Sequence, residues 1–449
     1  VINRLIEWSL KNRFLVVCAA LLLTALGIRA IYHTPVDAIP DLTENQVLVY
    51  ADWMGRSPQE VEDQVTFPLS TGLQGLAGVK EVRATSMFGF SLVTVIFKDE
   101  IDTYFARSRV LERLNFLQGS MPSGVAPQLG PDASGLGWVY QYYLDVDPAK
   151  APAGGYDLAQ LRSLQDWQIR YQLRGVEGVA EVASIGGFVK QYQIELSSTK
   201  MRAANVTLMD VMTAVQDANL NVGGKALEEN GAEFILRGTG LVTSIQDLEL
   251  IAVKAMDGTP IYLRDLATIQ IGGDFRRGAL DINGREAVGG TVVMRSGENA
   301  KAVIERVKEK IATIPLPEGV TIKPFYDRSR LIDNTIGTLK HALVEEIILV
   351  TLAHIIFLWH FRSILIVTLP LPISILFSFL MMKAFGITSN IMSLTGIAIA
   401  IGVLVDAAIV VTENVIRHCE AAEKDKGQPL NARERLVTTL AASRQVGRP

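Results

Sequence analysis

The chain has 449 residues, 49% of them hydrophobic and 20% charged, with a formal net charge of −4. That is too apolar for an ordinary soluble protein and too charged for an all-membrane one, so membrane spans joined to a large water-exposed part are expected, and no basic excess argues for nucleic acid. The only cysteines, Cys18 and Cys419, lie in or beside apolar segments, which leaves no disulfide framework and no paired-cysteine metal site.

The chain opens on Val1 and stops at "SRQVGRP", which reads as a fragment of something longer. Its first apolar run is Phe14–Ile31. Lys11 and Arg13 before it would also suit a signal peptide. Three further runs follow, at about Ala342–Phe361, Ile364–Phe385 (with Pro370 and Pro372 inside it) and Ile391–Ile416. Each has about the 20 residues that a hydrocarbon core of roughly 30 Å requires. Arg4, Lys11 and Arg13 precede the first run, Arg362 sits between the second and third, and Arg417, Lys424, Lys426, Arg433 and Arg435 follow the fourth. If all four cross, these groups share one side, so the first span is retained, both ends are cytoplasmic, and residues 33–341 lie outside.

The outer region alternates β-rich runs with amphipathic helical ones. It also repeats itself. Gly78, Val79, Glu81 and Val82 match Gly178, Val179, Glu181 and Val182, with a helix-like segment before and a strand after each copy. Duplicated units of the split βαβ kind are expected. Residues 221–240, with a central "ENG", read as a long hairpin that packs either on another subunit or back on its own domain.

Nothing in the chain supports a hydrolase or a nucleotide enzyme. "VGGKA" lacks the first glycine of a phosphate loop, and Ala226 replaces its Ser/Thr. Asn205-Val206-Thr207 fits a glycosylation sequon of the kind that arises by chance. Met209 and Met212 share a helix face and read as core packing ahead of soft-metal binding. His354 reads as polar packing within the second span, and Glu345 and Glu346 as residues at its outer end.

Asp406 is different. It sits inside "GVLVDAAIVVTEN" (402–414), at bilayer depth, where a carboxylate costs roughly 2.5–3.5 kcal/mol on insertion scales. Ala398, Gly402 and Asp406 fall four apart on one helix ridge, where small residues admit a second helix. Asp406 there either loads and releases a proton or makes a structural hydrogen bond. Glu413, near the cytoplasmic end, reads as a boundary residue.

Many ordered strings carry a resemblance over essentially the whole chain: "TPVDAIPDL" (34–42), "ARSRVLERLN" (106–115), "LGPDASGLGWVY" (129–140), "LRSLQDW" (161–167), "VAEVASIGG" (179–187), "YDRSRLID" (326–333), "FLWHFRS" (357–363) and "NIMSLTGIAIAIGVLVDAAIVVTEN" (390–414). The chain resembles the heavy-metal efflux branch of the resistance–nodulation–division (RND) transporters, and within it the copper/silver pumps. The resemblance implies an α-helical membrane protein with a large α+β periplasmic domain, four of the family's twelve membrane helices being present.

The implied division begins with residues 1–32, the N-terminal cytoplasmic residues and helix one. A first porter subdomain of split βαβ type follows at 33–136. A second, at 137–181 and 276–335, is interrupted by a docking subdomain at 182–275 that carries the intersubunit hairpin. Helices two to four take 336–418, and a cytoplasmic segment takes 419–449. The resemblance further implies a bacterial inner-membrane, non-enzymatic, proton-driven antiporter that exports Cu(I) or Ag(I). Its expected partners are a homotrimer, a periplasmic adaptor and an outer-membrane channel, with no nucleic acid and no cofactor.

Asp406 matches the family's relay Asp, and its Lys and Glu partners belong to the absent half. Divalent-cation members carry a second Asp six residues earlier; Ala400 stands there and favours the monovalent type. Of the methionines that copper/silver relatives can have near the relay, Leu404 and Val411 are replacements and Met392 is retained as a candidate metal contact. Other readings stay open: a scaffold subunit that moves no protons, or an exporter of zinc, cobalt, nickel or organic substrates.

Overall fold

The computed structural model describes residues 2–256, 258–276, 278–357 and 366–446. Strand β1 (Gln46–Asp52) leads into a helical run from Pro58 to Gln74, then β2 (Val79–Met87), β3 (Phe90–Phe97), the helix Thr103–Leu117 and the short β4 (Gln128–Leu129). The sheet order is β2-β3-β1-β4, antiparallel throughout. Alternate residues of β1, Val47, Val49 and Ala51, point inward against Val61, Val65, Leu69 and Leu73 of the helical run. Period-two strands and period-3.6 helices thus present one apolar face each to a shared core.

The same order returns. β5 (Trp138–Val146), a helical run from Leu158 to Arg174 and β6 (Val179–Ile185) form half of a second sheet. The repeat noticed in the sequence is the helix-to-strand corner of each unit, where Gly78 and Gly178 take φ of +83° and +85°. A side chain is strained in that left-handed region, which accounts for the paired glycines.

After β6 the chain leaves the sheet. β7 (Lys190–Leu196) later pairs with β12, and β8 (Val222–Glu229) and β9 (Ala232–Gly238) form the expected hairpin. Its turn is Asn230-Gly231, both at positive φ, as a tight two-residue hairpin turn demands. Every residue of both hairpin strands is exposed. β10 (Ala252–Met256), β11 (Thr259–Tyr262) and β12 (Ala267–Gly273) close a small core around Val211, Leu248, Leu263 and Leu266. In the helix Leu208–Ala218, Val211 is buried, whereas Met209 is 67% exposed and Met212 47%. The expectation that these methionines fill the core is therefore corrected: small Ala and β-branched Val take that face.

The short hairpin β13 (Leu280–Ile282) and β14 (Arg285–Ala287) brings the chain back. β15 (Gly289–Met294), the helix Ala300–Thr313 and β16 (Val320–Asp327) complete the second sheet in the order β16-β5-β15-β6.

β16 ends at Asp327 and the helix Arg328–Phe357 begins at the next residue, so no linker separates sheet from helix. Among the described residues three helices are long and apolar enough to cross a membrane: Arg13–His33, Ile366–Ala384 and Ile391–Lys426. They correspond to three of the four expected spans. The fourth expected span begins on the 328–357 helix; its end, with Arg362 and most of "FLWHFRS", lies outside the described residues, as does the His354 side chain.

Gly27 lets the first span approach the third closely. A methyl there would sit 2.5 Å from Leu376 Cβ and 2.8 Å from its carbonyl oxygen. Leu371, Ile375 and Phe379 pack against Leu394, Ile397, Ile401 and Val405 of the 391–426 helix. At the end of the bundle away from the sheets, the short helix Ile2–Lys11 meets the helix Ala432–Val446, where Glu7 pairs with Arg444 at 2.5 Å.

Candidate functional site: the Asp406 helix and its domain-side junction

The 391–426 helix starts where Asn390 accepts from the amides of Met392 and Ser393 at 3.0 and 3.1 Å, which satisfies donors the helix itself cannot. It stops at Gly427, whose φ of +67° suits a glycine cap. Its 36 residues span about 54 Å, longer than a hydrocarbon core of roughly 30 Å, and the surplus carries Glu423, Lys424, Asp425 and Lys426.

One face of this helix, Leu394–Ile397–Ile401–Val405, is buried against the neighbouring helix. Gly402 and Asp406 lie on another face, exposed within this chain. Among the described residues Asp406 has no hydrogen-bond or ion-pair partner. One carboxylate does come near. A Cβ on Gly402 would lie 3.5 Å from Glu346 Oε1, one helical turn before Asp406. The sequence reading left Glu346 at the end of its span; the structure turns it, half-buried, toward the Ala398–Gly402–Asp406 ridge, while Glu345 stays exposed. Glu413 pairs with Arg417 at 3.8 Å, one turn away on its own helix.

Met392 is 68% exposed on the first turn of the helix. Fourteen residues, about 21 Å of rise, separate it from Asp406, so the two candidates form no common site.

Three of the strings that carry the resemblance meet at the domain end of this helix. Asp37 of "TPVDAIPDL" receives Arg328 of "YDRSRLID" at 3.1 Å, and Arg328 is only 3% exposed. The Asp37 amide donates to the Ser389 carbonyl at 3.0 Å, the Ser389 amide to Pro35 at 2.9 Å, and the Ile391 amide to Ala38 at 3.1 Å. The segment after the first span is thus stitched to the start of the Asp406 helix, and both are held by the residue that opens the 328–357 helix. Burial pushes the Asp37 carboxyl above its ordinary value of 3.8, and Arg328 pulls part of that back.

Comparison with known proteins follows the same lines. The family model described as AcrB/AcrD/AcrF matches residues 5–449. The chain is 47% identical over 424 residues to the cation efflux system protein CusA of Escherichia coli K12, covering 93% of this chain and 40% of that protein. It is 45% identical over 452 residues to the putative cation efflux system protein SilA of Salmonella typhimurium, covering 99% and 43%. To the cobalt-zinc-cadmium resistance protein CzcA of Cupriavidus metallidurans it is 39% identical, covering 100% and 42%. A crystal structure of a heavy metal efflux pump superposes with a TM-score of 0.81 at 29% identity, over 99% of this chain and 47% of that one. The chain therefore spans about two-fifths of the length of these curated relatives. With its membrane-length helices and large periplasmic α+β region, it belongs to the AcrB/AcrD/AcrF family, in the heavy-metal efflux branch of the resistance–nodulation–division transporters of the inner membrane, a family of transporters and not of enzymes.

Proposed function

We propose that a protein carrying this chain is a proton-driven exporter of heavy-metal cations, most simply Cu(I) and Ag(I), with Asp406 as the proton-carrying group. The observation that carries this reading is the carboxylate itself: an ionisable side chain at bilayer depth, beside Gly402 and off the helix's buried apolar face. A purely structural Asp would have a donor; among the described residues this one has none. Such a residue serves a relay or ion path more often than packing.

The two sheets of order 2-3-1-4 support reading residues 33–136, 137–181 and 276–335 as porter subdomains of split βαβ type. Between them, 182–275 is read as a docking subdomain. The 328–357 helix supports a fourth span. Assembly follows the family pattern: a homotrimer joined to a periplasmic adaptor and an outer-membrane channel.

The exposed hairpin supports the trimer. Leu227, Phe234, Ile235 and Leu236 are all exposed on it, and a two-stranded ribbon cannot cover both of its faces. Deleting residues 228–234 in the full-length protein is expected to weaken the trimer and leave each sheet folded. Cross-linking at normal trimer yield after the deletion would rule out the intersubunit role.

Identity to the cation efflux proteins exceeds that to the cobalt-zinc-cadmium protein, and Ala400 withholds a second carboxylate from the relay helix. Both favour a monovalent cation over zinc, cobalt or cadmium. Met392, exposed at the domain end of the helix, offers a thioether of the kind Cu(I) and Ag(I) prefer. In vesicles holding the full-length protein, Ag(I) or Cu(I) is expected to drive proton flux at least tenfold faster than Zn(II) or Co(II), a difference of about 1.4 kcal/mol or more in barrier. Equal or faster flux with Zn(II) would transfer the proposal to the divalent class.

A further inference from the structure

The helices Arg328–Phe357 and Ile391–Lys426 run side by side from the sheet end of the bundle inward. Between their first turns lies a groove of about 320 Å³. Its lining mixes apolar Leu331 and Leu394 with Asn334, Thr335, Thr338 and Thr395. The hydroxyls of Thr335 and Thr338 donate back to the carbonyls of Leu331 and Asn334 at 2.9 Å each, so their oxygens stay free to accept from water. Ala342 and Ala398 are the lining residues furthest along the two helices. One turn deeper on the same seam, Glu346 reaches Gly402, with Oε1 at 3.5 Å from where a Cβ would stand. Asp406 follows four residues on, about 6 Å of rise, a gap that one or two waters can bridge.

We propose that this seam is the domain-side entry path for protons and that Glu346 is the carboxyl that hands them to Asp406. The inference rests on the relay reading of Asp406 and adds the route and its last donor. In the transfer the O–H bond of a protonated Glu346 breaks toward a bridging water. That water gives up a proton, and a new O–H bond forms on the Asp406 carboxylate. Glu346, left as a carboxylate, is reprotonated from water in the threonine-lined groove. A methyl on Gly402 would meet the Glu346 head only in ordinary contact, whereas a leucine there would fill the space into which that head projects.

The test uses the full-length protein in vesicles with Ag(I) as the driving ion. Glu346→Gln is expected to lower Ag(I)-coupled proton flux about tenfold or more, the low end of what a positioned proton-transfer group contributes. Glu346→Asp should restore a large part of it, and Gly402→Leu should lower it as Glu346→Gln does. Glu345→Gln, one residue away and exposed, should leave it unchanged. Infrared difference spectra supply the readout that a packing role would not move: the carboxylic C=O band that vanishes in Asp406→Asn should shift in Glu346→Gln. Wild-type flux and an unmoved band in Glu346→Gln, beside a dead Asp406→Asn, overturn this inference alone. Loss of flux in both Glu346→Gln and Glu346→Asp with the band unmoved also overturns it, as a packing defect. Normal flux in Asp406→Asn instead overturns the relay reading, and this proposal with it.

Discussion

Asp406→Asn in the full-length protein is expected to abolish metal-coupled proton flux and metal resistance while expression and membrane insertion stay near wild type. Asparagine keeps the shape of the side chain and a hydrogen-bonding oxygen but cannot release a proton. The side chain is exposed within this chain and makes no described hydrogen bond, so the substitution costs little packing. The functional loss should be large because each proton moving down 100 mV supplies about 2.3 kcal/mol, and without a titrating group that work is unavailable. A loss of roughly 100-fold or more in flux is expected, the scale of removing an essential proton-transfer group. Glu413→Gln is the paired control. Glu413 lies seven residues further toward the charged end of the helix, its carboxylate already has a neighbour in Arg417, and the variant should pump nearly normally. Flux surviving in Asp406→Asn and failing in Glu413→Gln would make Asp406 structural and move the relay elsewhere.

The sequence made some of this site legible and hid the rest for physical reasons. Asp406 stood out because a single charge in an apolar run breaks a strong local pattern. The Asn230-Gly231 turn and the Gly78/Gly178 corners were readable because positive φ nearly demands Asn or Gly. Glu346 was not readable. Whether a carboxylate near a helix end faces headgroups or a neighbouring helix depends on the rotation of two helices, and here Glu346 and Gly402 lie 56 residues apart in the chain. The only local hint was Gly402, a small residue on the same ridge, and a glycine in a membrane helix has many uses. Met209 and Met212 misled for the converse reason: their helical spacing defines a face, but spacing alone does not say which face is inward. The junction was half visible. The strings holding Asp37, Arg328 and Ile391 each looked distinctive, yet their convergence needs the folded chain, since about 290 residues separate the Asp from its Arg.

That junction carries the second large expected effect. Asp37→Ala should destabilise the full-length protein by about 3–5 kcal/mol, because it strands the Arg328 guanidinium, 3% exposed, without its counter-charge. Among the described residues the Arg328 Nε has no partner, and Asp41, the other carboxylate whose charge feels Arg328, makes no ion pair with it. The double variant Asp37→Ala/Arg328→Leu should recover most of the loss, since replacing a buried pair by apolar groups is often close to neutral. The pH dependence has a definite sign. Burial, the larger influence, raises the folded Asp37 value above 3.8 despite Arg328, so the folded protein holds this proton more tightly than the unfolded chain. The corresponding contribution to stability is full below 3.8 and is lost as pH rises through the raised folded value. The stability advantage of wild type over Asp37→Asn should therefore shrink from acid toward neutral pH. Unfolding midpoints in detergent across that range measure it; an advantage that grows with pH would mean that the pairing with Arg328 outweighs burial. Because Arg328 follows the last residue of β16 directly, and Asp37 is stitched to the start of the Asp406 helix, the same variants should loosen the coupling between sheet and relay. In Asp37→Ala, proton flux should persist while metal-coupled flux falls, which separates a broken linkage from a broken relay.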